Sequence, residues 1–253
     1  MSLDNIINFL SNGLYSSDKK EEGVEFNINK KFIKNDSSST LKIILPPWGD
    51  KESIISRILI RRLNKKGYSC LAYFFPRHIL SSDVDKTVEF FNTIKERVKS
   101  DIKKLKAEYN FQKIDIIAPS LGVVSACLIA NGNQDISNLY FIVPGSCLAA
   151  SLWNGIRTQH LKNIYEKQGI NQEKLINIWG SLAPKNNINA LAGKNIFIAI
   201  SRSDKIIPYR FGKELADLMT KLYPQTTVVQ ENGHLGHYLT VIKYYLSGKE
   251  LLE

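Results

Sequence analysis

The segment that most constrains the fold of this chain is an apolar run that ends in a tight turn of small residues. Residues 113–118 are rich in Ile, Pro119 and Ser120 follow them, and a segment of small and apolar residues with helical spacing then runs on to Asn131 and Gly132. β-branched runs favour strands, and Asn or Gly is typical of a helix end. The pattern therefore predicts a strand, a tight turn and a helix.

A serine held in that turn would be exposed at the end of a strand. Ala118 and Gly122 supply the small neighbours that a backbone doubling back on itself requires. The backbone N–H of Leu121 would point toward the group that Ser120 attacks, and the N-terminus of a helix favours negative charge there. The turn suits a nucleophile, while the alternative is that Ser120 only caps the following helix.

Length and composition allow one large α/β domain or two small ones. The 253 residues are 43% hydrophobic, and we favour a single domain over residues 1–253. Three cysteines, an odd number in apolar surroundings, indicate buried reduced thiols and a cytoplasmic location. Residues 1–22 form no secretory signal and are expected to be a short helix or a loose arm. No run reaches the roughly 18 apolar residues of a membrane-spanning helix.

The net charge of +10 raises the question of an anionic partner. The Lys and Arg residues are spread over many predicted helix faces and are interleaved with Asp and Glu, and no nucleic-acid-binding module is recognisable. A solvated surface explains this distribution better than a groove that follows a phosphate backbone. We therefore expect a small-molecule substrate and no nucleic-acid partner.

Apolar runs alternate with amphipathic segments along most of the chain. The predicted strands lie near residues 24–32, 41–45, 68–75, 113–119, 138–143, 195–200 and 226–229. Alternation of this kind predicts an α/β fold, with a mostly parallel twisted sheet and helices on both faces. The first two strands flank a turn at residues 35–39 and are predicted to pair as a hairpin. Ser82 and Asp85 are predicted to start the longest helix as a capping box.

The alternation breaks between Cys147 and Gly193. A connection of that length at the carboxyl edge of a sheet is usually functional, so residues 147–193 are predicted to be a helical cap between the sixth and seventh core strands. Trp153, Tyr165 and Trp179 could wall an apolar acyl pocket in such a cap and set the choice of substrate. The alternative is an insertion that packs to one side.

Polar residues follow three of the predicted strands. Ser120, Asp204 and His234 come in that order, each in a loop at a carboxyl strand end, where the catalytic groups of open α/β sheets lie. Together with the strand-turn-helix around the serine, this order resembles the α/β-hydrolase superfamily from about Val24 to the C-terminus. Residues 203–208 resemble the acid loop of that family, and Gly233-His234 resembles its histidine loop.

The resemblance implies a Ser-His-Asp triad that cleaves a carboxylic ester through an acyl-enzyme, with no metal or organic cofactor. His234 would be the base and Asp204 its partner. Pro46 and Pro47 lack N–H groups, so the second oxyanion donor beside Leu121 would be the N–H of Trp48.

Two departures from the family pattern leave a second function class open. Ala118 and Pro119 precede the serine where the family usually has Gly two positions earlier, and Pro46-Pro47-Trp48 replaces its usual His-Gly loop. A catalytically inactive ligand-binding protein is therefore the alternative, as are a thioesterase, an amidase or an acyltransferase on the same fold.

Four further residues are weaker candidates for the site. His78 and His160 are expected to be surface or pocket residues, and Ser146 is expected to cap a helix. His234 and His237 lie in one predicted loop and either could in principle reach Ser120, but His237 is expected to cap the last helix or to face solvent. The spacing of His234 and His237 could suit zinc, yet no Cys or acidic cluster accompanies it.

Overall fold

The computed structural model describes residues 26, 28–48, 54–232 and 236–247. The described strands are β1 (Asn29–Ile33), β2 (Thr40–Ile44), β3 (Ser69–Phe74), β4 (Lys113–Pro119), β5 (Ile136–Ile142), β6 (Asn195–Ser201) and β7 (Thr227–Glu231). They form one sheet in the order β1-β3-β2-β4-β5-β6-β7. Every neighbouring pair is parallel except β1 and β3, which are antiparallel.

Helices cover both faces of this sheet. The described helices are α1 (Ile54–Lys65), α2 (Val84–Tyr109), α3 (Gly122–Ala130), α4 (Leu148–Asn154), α5 (Gln159–Lys167), α6 (Gln172–Ile178), α7 (Tyr209–Leu222) and α8 (His237–Ser247). The apolar residues of α1 and α8 pack in one core, and those of α2 to α7 pack in a second, larger core. Two cores separated by a sheet confirm the predicted α/β fold with helices on both faces.

The predicted hairpin between the first two strands is wrong. β1 pairs with β3, and β2 lies between β3 and β4 with parallel neighbours on both sides. The turn after β1 explains the difference, because its polar groups bond to the elements before and at the start of β3. The Asn35 N–H donates to Ser69 Oγ at 2.9 Å, and Asn35 Nδ2 donates to the Asn64 carbonyl at 2.8 Å. Val24 and residues 1–22 lie outside the described part of the chain.

The N-cap residue of α2 lies one position after the predicted one. Asp83 is the N-cap, and its carboxylate accepts the N–H groups of Asp85 at 3.0 Å and Lys86 at 3.4 Å. Asp and Ser cap helices about equally well, so sequence alone could not choose between Asp83 and Ser82.

A row of polar side chains crosses the sheet near the amino ends of four parallel strands. Lys42 Nζ lies 2.8 Å from Asp115 Oδ2, and both side chains are buried. Asn138 Nδ2 donates to Asp115 Oδ1 at 2.7 Å, and Asn195 Nδ2 donates to Asn138 Oδ1 at 2.8 Å. The ring of Tyr68 lies 4.5 Å from the lysine nitrogen. This row lies at the end of the sheet opposite the carboxyl edge, and it gives the buried charges their partners.

Residues 147–193, here called the inserted segment, join β5 to β6 and contain α4, α5 and α6. The two strands that flank this segment are the fifth and sixth of the described strands, where the sequence analysis counted them as the sixth and seventh core strands. Two of its aromatic side chains reach the start of α2. Trp179 Nε1 donates to the Val84 carbonyl at 3.0 Å, and the Tyr165 hydroxyl donates to the Ser81 carbonyl at 2.5 Å. These bonds fix the inserted segment against the carboxyl edge of the sheet.

Candidate active site

Ser120 has a strained backbone at the carboxyl end of β4. Its φ is +52°, in the left-handed region that costs a residue other than Gly about 1–3 kcal/mol. The strain is held by the sheet, because the Ser120 N–H donates to the Ile142 carbonyl at 2.8 Å. Val143, the residue directly after β5, also has a positive φ, of +49°. The strained strand-to-helix turn at Ser120 is the geometry of a nucleophile elbow.

The side chain of Ser120 does not cap the helix that follows. α3 begins at Gly122 with Leu121 as its N-cap residue, and among the described residues no side-chain bond caps this helix. The only cap-like bond from the serine is a backbone one, in which its carbonyl accepts the Val123 N–H at 3.1 Å. The capping alternative therefore fails, and the hydroxyl is left for another role at the sheet edge, where the residue is 9% exposed.

The loop after β2 packs directly against the start of α3. A Cβ at Gly122 would lie 2.6 Å from the Leu45 carbonyl oxygen and 2.9 Å from that of Pro46, so only glycine fits there. The Leu45 N–H is used by the sheet, since it donates to the carbonyl of Ile117 in β4 at 3.0 Å. The next two residues are prolines and have no N–H, so Trp48 is the next residue after Leu45 that has one.

Asp204 and His237 form a buried pair beside the same edge. Asp204 Oδ2 lies 2.7 Å from His237 Nδ1. Asp204 Oδ1 accepts the N–H groups of Ile206 at 2.8 Å and Ile207 at 2.9 Å, so both carboxylate oxygens are bonded. Both side chains are about 5% exposed. With Nδ1 donating to the carboxylate, the Nε2 atom of the imidazole is the acceptor, which is the tautomer of a general base.

The expectation that His237 only caps the last helix or faces solvent is wrong. Its ring is buried and bonded to Asp204. His234, the base expected from the sequence, lies outside the described residues. β7 ends at Glu231 and α8 starts at His237, so the imidazole that bonds to Asp204 belongs to the first residue of the helix. The sequence feature that could have indicated His237 is its position at the start of the helix that follows the last strand.

Ser146, one of the weaker candidates, has a structural role. Its hydroxyl is buried and donates to the carboxylate of Glu214 on α7. Lys185 Nζ donates to the other oxygen of that carboxylate at 3.0 Å. Burial opposes ionisation of Glu214, but the bonds from Ser146 and Lys185 outweigh it and lower the pKa. Ser146 therefore ties the loop after β5 to α7.

The three cysteines have the burial that the sequence predicts. Cys70, Cys127 and Cys147 are buried and free of disulfides. Burial raises the pKa of Cys70 to about 12, so its thiol stays protonated. Within residues 26–48, 54–232 and 236–247, no group of three His, Cys, Asp or Glu side chains is arranged to hold a metal ion.

The inserted segment also contacts the loop that carries the acid. The Ile156 N–H donates to the Lys205 carbonyl at 3.2 Å. A Cβ at Gly155 would lie 2.4 Å from the Ile206 carbonyl oxygen, so the two backbones touch. Beyond this contact, the ring of His160 on α5 stacks against that of Trp48, with centroids 6.3 Å apart and 8° between the planes. The segment thus contacts loops that follow two different strands.

Two of the aromatic residues expected to wall an acyl pocket are part of the core. Tyr165 and Trp179 are at most 1% exposed and pack edge to face, with ring centroids 5.9 Å apart. Trp153 is half-buried, and Lys162 Nζ lies 5.6 Å from its ring centroid. Of the three, Trp153 alone has a surface that a substrate could reach.

Comparison with solved structures identifies the fold. The esterase Pf2001 of Pyrococcus furiosus superposes with a TM-score of 0.60 at 17% identity, over 90% of this chain and 82% of the esterase. A monoacylglycerol lipase from Paleococcus ferrophilus superposes with a TM-score of 0.58 at 14% identity, over 90% of this chain and 98% of the lipase. Est1E from Butyrivibrio proteoclasticus, solved with ferulic acid bound, superposes with a TM-score of 0.55 at 13% identity, over 89% of this chain and 96% of Est1E.

No family model and no curated protein sequence matches the chain. The sheet order, the elbow at Ser120 and these superpositions together show the α/β-hydrolase fold. In the described part of the chain, no helix is both long enough and apolar enough to cross a membrane.

Proposed function

We propose that this protein is a serine hydrolase that cleaves carboxylic esters. The observation that carries the proposal is the buried 2.7 Å bond between Asp204 and His237, beside a serine in a strained turn at the same sheet edge. A carboxylate that orients an imidazole is the arrangement that activates a serine hydroxyl. The base in this proposal is His237 in place of His234.

The reaction follows from the roles of these groups. His237 Nε2 takes the proton of Ser120 Oγ as the oxygen attacks the ester carbonyl, and Asp204 stabilises the imidazolium that forms. The tetrahedral intermediate collapses, the alcohol leaves with the proton from His237, and an acyl-enzyme remains. Water then attacks the acyl carbon and gives a proton to His237, and the acid is released as the proton returns to Ser120.

The developing oxyanion needs donors that are already in place. The N–H of Leu121 lies at the N-terminal end of α3, where the helix favours negative charge. The N–H of Trp48 is the second donor in our proposal, because the close contact at Gly122 holds the loop after β2 against the elbow. No metal or organic cofactor takes part in these steps.

The inserted segment is, in our proposal, a cap within a single domain that sets the choice of substrate, and the substrate is a small-molecule acyl ester. Its contacts with the acid loop and with Trp48 support that role. The Pyrococcus furiosus structure is named as an esterase and the Paleococcus ferrophilus structure as a monoacylglycerol lipase, which supports an ester as the substrate. The buried free thiols support a reducing location such as the cytoplasm.

A panel of p-nitrophenyl esters graded by acyl length tests this function. The wild-type protein should hydrolyse the esters with a preferred chain length, and Ser120→Ala should lose all turnover above background. Ser125→Ala is the matched control, because its hydroxyl is buried without a hydrogen-bond partner among the described residues. An inactive wild type would favour the ligand-binding alternative, and an active Ser120→Ala would move the nucleophile to another residue.

A further inference from the structure

One aromatic contact joins the inserted segment to the loop after β2. The imidazole of His160 is nearly parallel to the indole of Trp48, with 8° between the planes and 6.3 Å between the centroids. His160 is the second residue of α5 and is exposed, whereas Trp48 is half-buried and packs against the larger core. The imidazole therefore covers a face of the indole that the core leaves open.

The backbone of this loop can offer few donors to an oxyanion. The last sheet bond of the loop is made by the Leu45 N–H, and Pro46 and Pro47 have no N–H to offer. The first half of the loop is fixed, because the carbonyls of Leu45 and Pro46 contact the start of α3 at Gly122. At Trp48, by contrast, the indole packs against the larger core and against the His160 ring.

We propose that His160 is a positioning residue, which holds the Trp48 peptide in the orientation that stabilises the oxyanion. This inference rests on the proposed hydrolase function. The inserted segment then contributes to the chemical step as well as to the choice of substrate. An N–H that is misdirected by even a fraction of an ångström stabilises the transition state less while ground-state binding stays the same, so kcat should fall more than KM rises.

The kinetic test compares three variants on one short-chain p-nitrophenyl ester. His160→Ala should lower kcat about tenfold and change KM less than about twofold, a smaller loss than the 10²-fold or more that follows removal of an oxyanion donor. His160→Phe keeps a flat ring for stacking and should recover kcat to within about threefold of wild type. His78→Ala, which removes an exposed imidazole from the loop after β3, should match the wild type.

A double substitution tests whether the two rings act together. With Trp48→Ala already present, adding His160→Ala should lower kcat no further, because the ring that His160 contacts is gone. Additive losses would overturn the proposal, as would an unchanged kcat in His160→Ala or a failure of His160→Phe to recover it.

A measurement without turnover separates this inference from the hydrolase function. Acrylamide quenching of tryptophan emission, with the emission of a Trp48→Phe variant subtracted, reports how exposed the Trp48 indole is. In His160→Ala this indole should be quenched more strongly than in wild type, and in His160→Phe it should not. An inactive wild type with this quenching pattern would overturn the hydrolase while keeping the ring contact. Equal quenching in all three proteins would overturn the positioning role whatever the activity.

Discussion

His237 Nδ1 lies 2.7 Å from Asp204 Oδ2, although 33 positions separate the two residues in the sequence. The carboxylate cannot turn away from the ring, because the N–H groups of Ile206 and Ile207 hold its other oxygen. The ring belongs to the first residue of α8, so the helix fixes the backbone from which the ring extends. In our proposal this buried, oriented imidazole is the group that transfers the proton of Ser120.

The first prediction ranks the two histidines near the last helix. His237→Ala should lower kcat/KM on an activated ester by about 10³-fold or more, because it removes the group bonded to Asp204. His234→Ala should cost at most about tenfold, as an indirect effect on the loop would. Steady-state kinetics of both variants decides the matter, and the opposite ranking would return the base to His234, as the sequence alone suggested.

The second prediction concerns the contact between the elbow helix and the loop after β2. Gly122→Ala places a Cβ 2.6 Å from the Leu45 carbonyl oxygen, and neither backbone can yield cheaply. Unfolding in urea should show a loss of about 1–3 kcal/mol, and kcat should fall because the loop moves from the elbow. Gly180→Ala is the control, since no atom lies within 4 Å of its added Cβ. A Gly122→Ala protein that matches the control would contradict this account of the loop.

The third prediction concerns the buried pair between β2 and β4. Asp115→Ala leaves Lys42 buried without its carboxylate and should lower the free energy of unfolding by about 3–5 kcal/mol. Asp217→Ala removes the partner of Lys213 in an exposed pair at 2.5 Å and should leave the urea midpoint unchanged. Similar effects of the two substitutions would mean that the buried row of polar side chains adds little to stability.

The fourth prediction concerns acid and the anchoring of α8. Glu231, at the end of β7, accepts bonds from Lys243 Nζ at 2.5 Å and from the Tyr244 hydroxyl at 2.9 Å. The bond and charge of Lys243 hold the pKa of Glu231 below its ordinary value. The pKa of Glu231 is therefore lower in the folded protein than in the unfolded chain, where it is about 4.3. Above about pH 4.3 the ionised carboxylate stabilises the fold, and this stabilisation is lost as the pH falls through the pKa of the folded protein.

Melting temperatures at pH 7 and pH 3 test that linkage. Glu231→Gln should melt below the wild type at pH 7, and the difference between the two proteins should shrink at pH 3. Glu166→Gln, which removes a half-exposed carboxylate 3.8 Å from Lys162, should show little difference at either pH. A difference for Glu231→Gln that persists at pH 3 would assign its effect to packing instead of charge.

Local patterns predict most of the fold because burial leaves a clear trace in the sequence. The strand before Ser120 and the long helix after residue 83 have apolar residues at the spacing that their surroundings require, so both are found close to their predicted bounds. The pairing of strands is harder to predict. β1 pairs with β3 and not with β2, and the bond between Asn35 and Ser69 that holds the turn after β1 near β3 leaves no local pattern in the sequence. The burial of Lys42 is equally hidden, because its partner Asp115 lies on another strand.

In the candidate site, too, the local features could be predicted and the contacts between distant residues could not. The serine turn depends on consecutive residues, and the sequence therefore indicates it directly. The sequence could not show that His237, the base in our proposal, lies against Asp204, because the two residues are 33 positions apart. Tyr165 and Trp179 were expected in a pocket because aromatic residues suit one, but their polar atoms bond to backbone carbonyls near the start of α2. Aromatic composition alone cannot tell a core from a pocket.

The measurement that tests the central claim most directly is the site and rate of labelling by a fluorophosphonate. Such a reagent reacts only with a serine whose proton has a base to receive it. We predict one adduct per wild-type chain, located on Ser120 by peptide mapping, no adduct in Ser120→Ala, and labelling slowed at least a hundredfold in His237→Ala. An adduct on another residue, or equal labelling rates in the wild type and His237→Ala, would contradict the claim that His237 and Asp204 activate Ser120.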